Sequence, residues 1–267
     1  MSTQPTQAAA NPLALLPTKG SKAMRKNPRC IILFGPSKVG KTTFLGQHPK
    51  MLVLDTEGGS EFIDGIMSVR VKGLSEKTWQ EQVHDGTNVQ TVTFGGLRFW
   101  LNTLFQAKQA GNFPYTAIAI DTIDEVVKWI AEAQTVAYNR TANNDQAMVN
   151  SIYDLDFGKG HRKVLNVFLD IRDAFLKLGF PFVMIGHRKR RVVGDDNLQV
   201  DIKELDIFKA LSSQLIYQAD AAGYIHRDTE NQLKISFMAN TEDVSSGTRV
   251  PHLAGKIIDA DWKQIFV

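Results

Sequence analysis

With 267 residues, 43% of them hydrophobic and 22% charged, the chain has globular composition and enough length to bury a core, which excludes a wholly disordered or collagen-like polypeptide. Its single cysteine, Cys30, excludes a disulfide framework and a cysteine-based zinc site and fits a reducing cytoplasm; no apolar run reaches the roughly 18 residues of a membrane span, and no charged region precedes the short apolar patch at the N-terminus as a signal peptide would require. The net charge of +3 is uneven: residues 1–29 carry five basic side chains and no acid, against 26 basic and 28 acidic side chains in the remainder.

Residues 1–28 are rich in Ala, Gln, Thr, Pro and Lys and lack periodicity. They read as a disordered basic tail, either an electrostatic arm for a polyanion or a solubilising leader, ahead of one domain over 29–267. Cys30 to Phe34 is a continuous apolar run, the pattern of a strand buried on both faces of a parallel sheet. A Gly-rich turn and a short helix, 41–47, come next. A second buried strand runs from Met51 to Leu54 and ends at Asp55. Residues 66–71 and 89–93 are weaker strands, and Leu97, Trp100, Leu101, Leu104 and Phe105 trace an amphipathic helix. Thr116 to Ile120 is a third strong strand closed by Asp121. Thr122 and Glu125 then have capping-box spacing for a helix that turns Val126, Val127, Ile130 and Ala137 to the core. Residues 139–160 are polar and turn-rich, the mark of a functional or disordered segment. A helix follows from Val164 to Leu178, then a fourth buried strand from Phe182 to Gly186 and a hairpin with a Gly-Asp-Asp-Asn turn. A helix at 206–218 and strands at 221–226 and 233–239 complete an α/β pattern with a mainly parallel sheet.

Gly35-Pro36-Ser37-Lys38-Val39-Gly40-Lys41-Thr42 fits G-x-x-x-x-G-K-[ST], and it lies between a buried strand and a helix, where the pattern has its mechanical meaning. Glycines let backbone N–H groups wrap an anion at a helix N-terminus. Lys41 reaches the β- and γ-phosphates, the Thr42 hydroxyl binds Mg²⁺, and residues 35–43, Thr43 included, are the nucleotide-binding set. Asp121, at a strand tip, is the expected second holder of Mg²⁺; helix capping is its plain alternative, and Asp124 is the structural acid of the two. Ligands of parallel sheets lie beyond the carboxyl ends of strands, which aims Glu57 at the nucleotide. A carboxylate there can orient and deprotonate an attacking water; a solvated turn is the other reading. His187, after the fourth strand, emerges on the same edge and reads as a γ-phosphate sensor or a strand cap. Arg188, Lys189, Arg190 and Arg191 follow at once, as nucleic-acid phosphate contacts or as a solvated hairpin paired with Asp195, Asp196 and Asp201.

Together GPSKVGKTTF, LDTEGGSEF, IAIDTIDEV, DFGKGH and VMIGHRKRR resemble the short phage nucleotide-binding proteins of the RecA-like ATPase class, the ATP-binding single-strand annealing proteins of phage recombination, over about residues 30–240. The resemblance implies a RecA-like P-loop NTPase fold, with a mainly parallel sheet flanked by helices and late antiparallel strands. It implies an ATPase using ATP and Mg²⁺, stimulated by DNA, that binds single-stranded DNA for annealing or strand exchange. A homo-oligomer, ring or filament, in the cytoplasm of a bacterial host follows from the same likeness, with room for a single-strand-binding protein as partner and none for a membrane. In that class the second motif carries the catalytic glutamate, here Glu57, and the sensor is commonly glutamine where this sequence has His187. Its two DNA loops fall, by order, near 139–163 and 188–204, and Lys159 and Arg162 are cations available in the first. DFGKGH matches the family's Gly-Lys-Gly stretch, with a tight turn as its plain reading. A small-molecule P-loop kinase and a nucleotide-dependent assembly or packaging factor stay open as other functions.

Overall fold

The structure, a computed structural model, describes residues 22–141, 148–193, 200–239 and 245–267, with backbone alone for 190–193 and 200–202. Its strands are β1 (Cys30–Gly35), β2 (Met51–Asp55), β3 (Ser68–Val71), β4 (Thr78–Asp85), β5 (Asn88–Gly95), β6 (Ala117–Asp121), β7 (Phe182–Val193), β8 (Val200–Leu205), β9 (Ala221–Arg227), β10 (Leu233–Ser236), β11 (Gly247–Thr248) and β12 (Ile257–Asp259). Its helices are α1 (Lys41–Gly46), α2 (Leu97–Gln109), α3 (Ile123–Asn139), α4 (Lys159–Lys177), α5 (Lys209–Gln218) and α6 (Trp262–Ile265).

The sheet order is β12-β10-β9-β1-β7-β6-β2-β3-β5-β4. Neighbours from β9 through β5 pair in parallel, and β4, β10 and β12 add antiparallel edges. This is the expected mainly parallel α/β architecture with late antiparallel strands. Strict alternation divides each central strand between two cores. Ile32, Phe34, Leu54, Ile120 and Met184 face α2, α3, α4 and α5. Ile31, Leu33, Val53, Ala119 and Ile185 face α1 and the C-terminal stretch that includes Val250 and Trp262. Because both faces are covered, β1, β2 and β6 are buried from end to end, which is why they read as unbroken apolar runs.

The C-terminal stretch braces the phosphate-loop helix. The Trp262 ring stacks on Phe44 with centroids 4.2 Å apart, and its Nε1 donates to the Phe44 carbonyl at 2.8 Å. Asn27 exchanges two hydrogen bonds with Val267, and Arg29 donates to Leu176 O, so packing onto the body begins at Asn27 rather than at residue 29. Residues 1–21 of the expected tail lie outside the described residues. No helix among the described residues is long and apolar enough to cross a membrane. Cys30 is buried, and that burial pushes its thiol up to about 12.

Several expectations need correction. β4 has no counterpart in the sequence pattern: its side chains are exposed or half-buried throughout, so no apolar stripe marks it. The Asp85-Gly86 turn joining it to β5, with Gly86 at φ 59°, was the available hairpin signal. Thr122 sits at the N-cap of α3 but its hydroxyl does not cap the helix, and Ala137 is exposed. Part of 139–160 is regular: α3 runs to Asn139, Ile152 is buried in a short 3₁₀ turn, and α4 begins at Lys159, five residues ahead of expectation. β7 does not stop at Gly186 but runs 12 residues in all, from Phe182 to Val193, and pairs with β8 from Arg188↔Leu205 to Val193↔Val200. The turn of that hairpin, with Asp195 and Asp196, lies outside the described residues.

Candidate nucleotide site

The loop between β1 and α1 bends through left-handed conformations at Lys38 (φ 60°) and Gly40 (φ 113°). The second is a geometry that glycine adopts without a Cβ penalty. The turn buries Lys41 at the first position of α1 with 5% of its surface exposed. Its Nζ donates to Pro36 O at 2.8 Å and weakly to Gly35 O at 3.4 Å. Burial pulls its pKa below the usual lysine range, while Asp121, Asp124 and Glu57 pull the other way. A desolvated ammonium whose hydrogen bonds go to neutral carbonyls is well placed to receive an anion.

Asp55 and Asp121 end β2 and β6 at directly paired positions. Thr42 Oγ1 donates to Asp121 Oδ2 at 2.6 Å. Asp121 is 4% exposed, and burial pushes its carboxyl up to about 6 against the Thr42 hydrogen bond; the negative charge of Asp55 adds to the rise. A hydroxyl and a carboxylate side by side are hard oxygen donors of the kind Mg²⁺ takes. A carboxyl that burial drives toward protonation gains most from a cation, so this pair fits the metal. Asp55 is a different case. It accepts from the N–H groups of Glu57 (3.0 Å), Gly58 (2.6 Å) and Ser60 (2.9 Å) and from the Ser60 hydroxyl, and it pairs with Arg70 at 3.3 Å. It shapes the loop that carries Glu57.

Glu57 Oε1 accepts from Thr122 Oγ1 at 3.0 Å and stands 3.7 Å from His187 Nδ1. Here the Thr122 hydroxyl finds its partner: instead of capping α3, it holds a carboxylate from the neighbouring strand. His187 gives both its backbone N–H and Nδ1 to Asp124 Oδ2, each at 2.9 Å. That bond raises the imidazole pKa against the opposing effect of burial. Asp124 is thus the hydrogen-bond support of His187.

One cavity of 330 Å³ gathers Lys38, Gly40, Lys41, Thr42, Thr43, Glu57, Asp121, Thr122 and His187, together with Gly59, Phe62 and Ile63. The expected Lys41, Thr42, Glu57, Asp121 and His187 therefore converge. Gly35 and Pro36 contribute carbonyls to Lys41, and the Val39 side chain is buried in the core. Phe62, which closes the LDTEGGSEF stretch without a role of its own in that motif, is 90% exposed at this site. A second cavity of 590 Å³ adjoins the first through Glu57 and His187 and holds Ser37, Arg188 and Lys189. Arg188 Nη1 donates to the Tyr224 hydroxyl at 3.1 Å and Lys189 Nζ to Ile207 O at 2.7 Å. The side chains of Arg190 and Arg191 lie outside the described residues. Lys159 and Arg162 are exposed on the first turn of α4.

Comparison with known proteins adds a family. A family model described as an AAA domain matches residues 27–250. No curated protein matches. Among solved structures, the crystal structure of the RadB recombinase is similar at 12% sequence identity and a TM-score of 0.38, over 86% of each chain.

Proposed function

We propose, from the premise that this chain belongs to the AAA domain family, that it binds ATP with Mg²⁺, hydrolyses it, and couples that reaction to binding single-stranded DNA for annealing or strand exchange as a homo-oligomer. The observation that carries the reading is the convergence of Lys41, Thr42 and Asp121 with Glu57 on one cavity, Glu57 being held by a neutral hydroxyl donor at 3.0 Å. Mg²⁺, held by Thr42 and Asp121, supplies charge neutralisation on the β- and γ-phosphates when bound. Lys41 leaves the loop carbonyls for the phosphate oxygens. Glu57 orients the attacking water and takes its proton, and Thr122 fixes which oxygen does so. His187, tied to Asp124, senses the γ-phosphate and sits one residue before Arg188 on the same strand. The DNA half of the reading draws on that adjacency, on the exposed cations at the start of α4 and on the resemblance to phage annealing ATPases.

Phosphate release, measured with and without single-stranded DNA, tests both halves. Wild-type protein should hydrolyse ATP faster with DNA. Glu57→Gln should keep nucleotide affinity while release slows by about 10²-fold or more, the usual loss of a general base. Equal losses of affinity and rate would make Glu57 structural, and hydrolysis indifferent to DNA would remove the DNA coupling.

A further inference from the structure

The second cavity has more structure than a solvated hairpin base requires. Three rings from three separate segments meet on its wall: Tyr153 from the 3₁₀ turn Ile152–Asp154, His161 from α4 and Phe208 from the N-cap of α5. Ring centroids are 4.6 Å apart for Tyr153 and His161, 5.1 Å for His161 and Phe208, and 6.0 Å for Tyr153 and Phe208. The DFGKGH stretch makes this possible. A Cβ on Gly160 would stand 1.7 Å from Ile152 O, so only glycine lets the start of α4 lie against the 3₁₀ turn and bring His161 to Tyr153.

Polar groups complete the cavity. Arg188 commits one of the five guanidinium donors to Tyr224, and Asp206 and Glu125 line the cavity as acceptors, Glu125 with one carboxylate oxygen already held by Lys128. Beside it, α4 opens with Lys159, Arg162 and Lys163 exposed and no acid in its first turn. The helix dipole disfavours cations there, a cost that a chain of phosphates offsets. At 590 Å³ the cavity is within the roughly 300–1,000 Å³ of small-ligand sites.

We propose that this cavity takes one unstacked nucleobase of the bound single strand, its faces against the Tyr153–His161–Phe208 wall, its edge on Asp206 or Glu125, and its flanking phosphate on Arg188. The proposal rests on the DNA-binding reading above. Since Glu57 and His187 line both cavities, the base is also the part of the strand nearest the hydrolytic site, which gives DNA stimulation a physical route.

The test compares a short deoxythymidine oligonucleotide carrying one 2-aminopurine with an abasic oligonucleotide of equal length, both by fluorescence anisotropy. Wild-type protein should prefer the base-bearing strand by about tenfold, the scale of one lost base–aromatic stack. It should also change the 2-aminopurine emission. Phe208→Leu and, separately, His161→Leu should abolish that preference and the emission change while retaining affinity for a non-hydrolysable ATP analogue. dAMP at millimolar concentration should leave the emission change in place. Equal wild-type affinity for the intact and abasic strands overturns the base site alone. Saturation of the cavity by dAMP, with loss of the 2-aminopurine signal, assigns it to a free nucleotide instead. Binding of neither oligonucleotide overturns the DNA reading and this proposal together.

Discussion

The tips of β2 and β6 carry aspartates at paired positions, Asp55 and Asp121, buried to 1% and 4% exposure. Their carboxyls are nevertheless driven in opposite directions. Burial alone would raise both. In Asp55 it is overcome by donors from Ser60 and Gly58 and by the Arg70 charge, so the carboxyl lies below the usual range. In Asp121 burial prevails over a single Thr42 donor and carries it up to about 6. A carboxylate whose lone pairs are filled by its own chain is a strut. One left under-supplied next to a hydroxyl is a carboxylate that a cation would satisfy. Position on the strand tip therefore does not distinguish structure from function; the count of donors does.

The largest expected effect breaks the strut. Asp55→Asn removes the charge opposite a mostly buried Arg70 and half the acceptor capacity used by the Glu57–Ser60 loop. It should cost about 3–5 kcal/mol in urea unfolding, the range for disrupting a buried pair. A cost under about 1 kcal/mol would mean that the loop holds itself.

Asp121→Asn should act with the opposite sign on the nucleotide-free protein. Its carboxyl binds a proton more tightly folded than unfolded, from 3.8 up to about 6, so wild-type stability falls as pH rises through that window. The variant, which keeps an acceptor for Thr42, should lack this slope and be about 2–3 kcal/mol more stable at pH 7, because each tenfold change in proton affinity is worth about 1.4 kcal/mol. Thermal melts between pH 4 and 7 read this directly. The same variant should lose the Mg²⁺ dependence of nucleotide binding, and unchanged melts across the window would put Asp121 with Asp55 as a strut.

A smaller effect sharpens the comparison by cutting the link between the two tips. Thr122→Val keeps the shape of a buried residue but removes the donor to Glu57 Oε1. Hydrolysis should slow by about tenfold, the order expected for one hydrogen bond to a charged group that is partly exposed. The denaturation midpoint should barely move. Equal activity in Thr122→Val would show that Glu57 is oriented by its loop alone.

Much of this arrangement was legible. β1, β2 and β6 announced themselves as apolar runs, and the phosphate loop is a continuous stretch whose spacing carries its own geometry. Glu57, Asp121 and His187 followed from the rule that ligands gather at strand ends. The misses share a cause. β4 buries no continuous face, so it left no periodic signal. Asp55 read only as the end of the second strand because one of its partners, Arg70, comes from β3. Thr122 looked like a cap because capping is what a threonine does locally, whereas its real partner lies 65 residues away.

The sequence by itself determined the strand core, the phosphate loop and the set of polar residues at one sheet edge, because side-chain alternation and left-handed turns depend on residues close in the chain. Only the tertiary structure decided what those polar residues do. Pairing β2 with β6 in one register sets Asp55 beside Asp121 and Glu57 within reach of Thr122, and packing α4 on the 3₁₀ turn makes a ringed cavity from residues that share no pattern. A backbone conformation is a local property; a side chain's hydrogen-bond partner, and with it its charge state, is fixed only when distant segments meet.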